Sequence, residues 1–114
     1  MIKKLLISLF LVAILSGCTN PVGGDYFFEQ IDIIEQAMNE RQIDWQQIEV
    51  QSKELKKLYK ENKWRTQLIG DEREYEGLSE SIAILIAAVD EKDATQAKVE
   101  LATIKSIIED IYSL

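Results

Sequence analysis

From residue 25 onward the apolar positions recur every three or four residues, the spacing of a helix with one buried stripe. Phe27, Ile31, Ile34 and Met38 form the first stripe, with Asp25 ahead of it as a candidate N-cap and an end expected near Arg41. Asp44 opens a second helix, with Gln47 placed for a capping box. Trp45, Ile48, Leu55 and Tyr59 face inward, up to a boundary near Ile69-Gly70. Asp71 with Glu74 repeats the start signal for a third helix, whose stripe is Tyr75, Leu78, Ile82, Leu85 and Val89. A fourth begins at Asp93 with Gln96 and carries Ala94, Ala97, Leu101, Ile104, Ile108 and Ile111 on one face, the strongest amphipathic signal of the four. No proline follows Pro21 to interrupt any of these segments. The pattern predicts an all-α domain.

Its arrangement follows from the connections. They are short, which favours antiparallel neighbours. An internal echo at an offset of 49 residues aligns Asp44, Gln47, Leu55 and Leu58 with Asp93, Gln96, Ile104 and Ile107, so that two helical hairpins look like copies of one unit. The Gly and Tyr positions of tetratricopeptide-type repeats are missing, and two hairpins are too few for a solenoid. An antiparallel four-helix bundle, or two stacked helical hairpins, is expected over residues 25–114.

The first 24 residues break the pattern. Lys3 and Lys4 precede an apolar run from Leu5 to Leu15, and Ser16-Gly17 precede Cys18. That order is a secretory leader, and it resembles the lipoprotein class of signals. The resemblance implies a leader over residues 1–17, a diacylglycerol on Cys18 and cleavage before it, often with acylation of the new amino terminus. The rival, a spanning anchor, is disfavoured because Leu5 to Gly17 falls short of the roughly 18–20 apolar residues a membrane helix needs. Residues 18–24 then supply the lipidated cysteine and a short Pro- and Gly-containing linker. Extended at about 3.5 Å per residue, Thr19 to Gly24 reaches at most roughly 20 Å, so the domain stays near the headgroups. The expected location is the extracytoplasmic face of the cell membrane.

Composition narrows the chemistry. The chain carries 13 basic and 20 acidic residues, a net charge of −7, and losing Lys3 and Lys4 makes it more acidic. A nucleic-acid partner is not expected. With one cysteine, taken by the lipid, no disulfide can stabilise the domain. Histidine is absent, which removes the commonest general base and metal ligand, the Glu-x-x-His sites of helical di-iron proteins and Ser-His-Asp hydrolysis. No cofactor is expected beyond the covalent lipid on Cys18, and no catalytic or metal-ligating residue is assigned. Acids do gather at Asp71, Glu72, Glu74, Glu76 and Glu80, and again at Asp90, Glu91 and Asp93. Helix N-termini attract acids through their open amides and dipole, and this reading is favoured over weak calcium binding, since neither run has EF-hand spacing. A glycosidase-type carboxylate pair would need a cleft that so small a bundle is not expected to provide.

Three features remain as candidate binding sites. Lys53, Lys56, Lys57, Lys60, Lys63 and Arg65 face only Glu54 and Glu61 in the same stretch. The favoured reading pairs these cations across the corner with the acids after Asp71; the alternative is contact with anionic headgroups or wall polymer. Trp64 lies off the inward stripe and either seals the bundle end, as large aromatics usually do, or stands exposed as an anchor for a partner. Ile82 to Val89 is an unbroken apolar run, in which Ile84 and Ala88 point away from the main stripe. Either that helix packs on two sides, the favoured reading, or its second face binds another chain.

The succession of an anchor, an Asp44-Trp45 helix start, Trp64 near that helix's end, the acidic Asp71-Glu72 start, Ser81-Ile82 and a final Asp93-x-x-x-Ala97 helix resembles DUF4363, a domain-of-unknown-function family of small bacterial membrane-associated helical proteins. The resemblance implies an extracytoplasmic helical domain in low-GC Gram-positive bacteria and supplies no activity, cofactor or catalytic residue. The Lys-rich second helix and the lipid-bearing cysteine depart from relatives that look membrane-spanning. Taken with the residues, it points to a lipid-anchored, non-catalytic protein-protein interaction module whose partner is a membrane or envelope protein, with self-association as another outcome. A contact protein for anionic lipid or wall polymer is the alternative, and a carboxylate-based enzyme a distant third.

Overall fold

Three aspartates start helices where the pattern places them. In a computed structural model of the chain, which describes residues 24–112, Asp44 caps the helix that follows by accepting from the Gln47 backbone N–H at 3.2 Å. Asp71 and Glu74 form a full capping box: Asp71 Oδ1 accepts from the Glu74 N–H at 2.8 Å, and Glu74 Oε1 accepts from the Asp71 N–H at 3.1 Å. Asp93 Oδ1 accepts from the Gln96 N–H at 3.1 Å. Each aspartate thus satisfies an amide that the first helical turn leaves open.

Five helices result among the described residues: α1 (Gly24–Met38), α2 (Trp45–Glu61), α3 (Lys63–Ile69), α4 (Glu72–Asp90) and α5 (Ala94–Tyr112). Two ends differ from the pattern. Asp25 lies inside the first turn of α1 rather than ahead of it, and α1 stops at Met38 instead of near Arg41. A third difference is larger. The expected second helix is two helices, broken at Asn62, whose φ of −105° and ψ of 14° leave the helical region. The Asn62 side-chain amide donates to the Leu58 carbonyl at 2.9 Å, and the Thr66 hydroxyl donates to the Asn62 carbonyl at 3.0 Å. Such side-chain bonds to the carbonyl four residues back compete with the helical ladder and bend it.

The four long helices close into a ring of sequential neighbours. α1 packs on α2 and α5, and α4 on α2 and α5, with α4 against α5 the most extensive contact; the diagonal pairs do not meet. This is the antiparallel four-helix bundle. Its core is the union of the predicted stripes: Phe27, Ile31, Ile34, Met38, Ile48, Leu55, Leu78, Ile82, Leu85, Leu101, Ile104 and Ile108 are all essentially inaccessible to solvent. Buried Gln30 fixes the α1–α2 register by donating from Nε2 to the Gln51 carbonyl at 2.9 Å and to Gln51 Oε1 at 2.8 Å. The two-sided burial favoured for α4 forms only in part: Ala88 is covered and Ile86 packs against the core, but Ile84, on the second face, is left exposed.

The bundle has two distinct ends. At the far end lie the α1–α2 and α4–α5 turns, where Ile43 and Trp45 meet Val89 and Asp90 around an open depression. There α4 stops in a Schellman turn. Lys92, in the left-handed region at φ 57°, donates to the Val89 carbonyl, and the Asp93 N–H donates to the Ala88 carbonyl at 2.9 Å. At the near end the start of α1 meets the end of α5: a methyl added at Gly24 would stand 3.1 Å from the Tyr112 ring. α3 crosses this end against α2, α4 and α5, and Gly70 approaches Ile111 equally closely. The leader assigned to residues 1–17, Cys18 and the linker as far as residue 23 lie outside the described residues; Gly24, the expected last residue of the linker, belongs instead to α1.

Candidate functional site

The near end gathers most of the candidate binding residues. Thr66 is completely buried, and Ile69 packs against the core, so one face of α3 closes over Ile111 and Tyr112. The opposite face is open. Trp64 is 57% exposed and Leu68, one turn later, is 76% exposed, which makes Leu68 the most exposed large apolar side chain described. The expectation that Trp64 seals the bundle end is therefore overturned. The break at Asn62 gives α3 only seven residues, and its Thr66–Ile69 face already covers the end, so the tryptophan is left outside. Its ring carries the Arg65 guanidinium 4.9 Å from the centroid, a cation–π contact at the surface.

The cations also differ from the favoured reading. Among the described residues their ion pairs stay within α2: Lys53 to Glu49 at 2.9 Å, and Lys57 to Glu61 at 4.0 Å. The Glu49 carboxylate holds the Lys53 ammonium pKa above its ordinary value. Among the described residues the expected pairing across the corner with the acids after Asp71 does not form; Asp71 and Glu74 are engaged in their own capping box. Lys63 instead stands 5.6 Å from the Tyr75 ring centroid and lowers that phenol's pKa. Lys56 and Lys60 are exposed and have no acidic partner among the described residues. The six cations therefore divide into Lys53 and Lys57, neutralised on α2, and Lys56, Lys60, Lys63 and Arg65, which lead toward the near end and surround Trp64 in sequence.

Two aromatic groups sit beneath α3. The Tyr59 and Tyr75 rings lie 5.8 Å apart, tilted by 33°, and the Phe27 and Tyr112 rings 6.1 Å apart, tilted by 39°. Burial drives the Tyr59 and Tyr112 pKa values upward. An open depression beside them is lined by Gln67, Asp71, Glu72, Tyr75 and Glu76. Among the described residues no three carboxylates or thiols converge in a way that would hold a metal ion.

Ile84 lies elsewhere, on the side of the bundle. Gly77 of α4 faces Ile107 of α5, with an added methyl standing 3.6 Å from Ile107 Cδ1. Moving two turns along each antiparallel helix from that contact sets Ile84 level with Glu100. Ile84 is 37% exposed on α4 and Val99 54% exposed on α5, so each helix of this hairpin leaves one aliphatic side chain open to solvent. Nothing in the stripe pattern marked Val99; its exposed position became informative only once the hairpin register was known.

A family model described as a domain of unknown function matches residues 25–114, the whole helical region. The chain belongs to the DUF4363 family. No curated protein and no solved structure matches it. Within this DUF4363 domain no described helix is long and apolar enough to cross a membrane. The match begins at α1, so α3, its exposed Trp64–Leu68 face, Ile84 and Val99 all lie inside the family's domain.

Proposed function

We propose that the protein is a lipoprotein, anchored through Cys18 at the extracytoplasmic face of the membrane, whose helical domain works as a non-catalytic protein-protein interaction module. The observation that carries this reading is that Ile84 of α4 and Val99 of α5 stay exposed on a bundle whose core is already filled by its own side chains. A filled bundle acts through its surface, and exposed aliphatic residues on a rigid hairpin offer a partner apolar area without a folding cost. The lipoprotein-like leader and the short linker support a partner at or near the membrane.

Photo-crosslinking in intact cells tests the reading, with the reactive group placed in turn at Ile84, Trp64 and Lys60 of the full chain. A discrete heteromeric adduct from Ile84 is expected. An adduct between copies would replace the foreign partner with self-association, and no protein adduct from any of the three positions would overturn the reading. Metabolic labelling with a palmitate analogue tests the anchor separately: label lost in Cys18→Ser is expected, and label absent from the parent chain would remove the lipoprotein assignment.

The alternative, contact with anionic lipid or wall polymer through the basic helix, is favoured by the unpartnered Lys56 and Lys60. Its mark is membrane contact that weakens strongly with salt, since exposed charges act over about 10 Å at 0.1 M and less at higher ionic strength.

A further inference from the structure

The linker and the exposed face of α3 meet at one end of the bundle, and this juxtaposition reaches beyond a partner on the α4–α5 side. Gly24, where the linker enters the domain, packs against the Tyr112 ring. Thr66 and Arg65 of α3 adjoin the same tyrosine, and Gly70 adjoins Ile111 one residue before it. A chain held by Cys18 therefore has at most roughly 20 Å of linker between the bilayer and the end that α3 crosses. That end carries Trp64 and Leu68, four residues apart and exposed, with Lys63 and Arg65 flanking Trp64 in sequence and Lys60 four residues before it at the end of α2.

We infer that α3 is a second membrane contact, in which Trp64 and Leu68 enter the headgroup region of an anionic bilayer while the neighbouring cations meet lipid phosphates. The inference rests on the lipid anchor at Cys18. Tryptophan favours the membrane interface because its ring is apolar while its indole N–H stays hydrated. Lysine and arginine beside it gain from the negative surface potential of anionic lipid, an attraction that fades within a Debye length. Asp71, Glu72 and Glu76 open α4 at the same end and are repelled by the same potential, which confines the contact to the Trp64–Leu68 face of α3. The contact thus orients the bundle, pressing its near end onto the membrane and turning the α4–α5 side and the far-end turns toward other molecules.

Fluorescence of the lipidated full-length protein in vesicles of phosphatidylglycerol and phosphatidylethanolamine tests this. Trp45→Phe leaves Trp64 as the reporter, and Trp64→Phe leaves Trp45 at the far end as the control; helicity by circular dichroism and flotation with the vesicles establish folding and anchoring for each. Expected for Trp64 are a blue shift, quenching by brominated acyl chains and loss of quenching by aqueous iodide; Trp45 should show no response to the bromolipid. Leu68→Ser and Lys60→Glu/Lys63→Glu should each reduce Trp64 quenching by lipid several-fold. A floating, helical protein whose Trp64 remains iodide-accessible and untouched by bromolipid would overturn the α3 contact while leaving the anchor standing, and would leave the exposed face to a protein. Failure of the parent chain to float would overturn the anchor, and this inference with it.

Discussion

Ser52 is wholly buried in α2, and its hydroxyl has no hydrogen-bond partner. An unsatisfied buried hydroxyl costs on the order of 1 kcal/mol or more, and alanine is the better helix former, so Ser52→Ala should stabilise the domain by about 1 kcal/mol. Urea unfolding checks this as a rise in midpoint at unchanged slope. Lys92 offers a second single-residue gain. Its φ of 57° carries the Schellman turn after α4, where a side chain is strained and glycine is not. Glycine's greater freedom in the unfolded chain offsets part of that relief, leaving a net gain of roughly 0.5–1 kcal/mol for Lys92→Gly, measurable in the same titration. Neither site was legible beforehand. Ser52 belongs to no apolar stripe, and its burial follows from the approach of neighbouring helices; Lys92 is an ordinary surface residue until the turn geometry is known.

At the scale of elements, what could be read from sequence was what local chemistry determines. The caps at Asp44, Asp71 and Asp93 formed because a short acceptor side chain, three residues before an open amide, needs nothing from the rest of the molecule. The stripes became the core because helical period alone places them on one face. The break at Asn62 went unread because the apolar period runs on to Ile69, while the bond from Thr66 to the Asn62 carbonyl opposes it; an asparagine followed four residues later by threonine was the available signal. Exposure of Trp64 followed from that break and was unreadable without it. The seating of α3 depends on Gly70, where a methyl group would stand 3.1 Å from both Ile111 Cγ1 and the Thr66 carbonyl oxygen. The isoleucine can yield by a few tenths of an ångström and the backbone oxygen far less. Gly70→Ala should cost about 1 kcal/mol, toward the lower end of overpacking effects, and loosen α3 selectively. Thermal unfolding would report the loss of stability, and trypsin should cut after Lys63 and Arg65 faster than in the parent chain.

The near end of the molecule holds two buried phenols. Tyr59 and Tyr112 lie under or beside α3. The far end is closed by tight turns, a capped helix start and a Schellman motif. This asymmetry fits a near end held against a surface and a far end standing clear of it. It also gives the bundle a direction in which to fail. Burial raises the pKa of both tyrosines above the ordinary value of 10.0, since a phenolate loses more than a phenol on leaving water. A group whose folded pKa is raised contributes stability that is fully present below its unfolded pKa and is lost as pH rises through the folded one. Stability should therefore decline from about pH 10 upward. The half-buried Tyr75, shifted downward by Lys63, opposes the trend in part. Urea midpoints measured from pH 8 to pH 11 should fall along this course in the parent chain and fall less in Tyr59→Phe/Tyr112→Phe, which keeps the rings and removes the ionising groups. If the near end opens first, amide exchange at alkaline pH will accelerate in α3 and the last turn of α5 before it does at the α4–α5 turn. Simultaneous loss of protection at both ends would mean that the bundle unfolds as one unit, with the tyrosines lowering its overall stability rather than loosening one end.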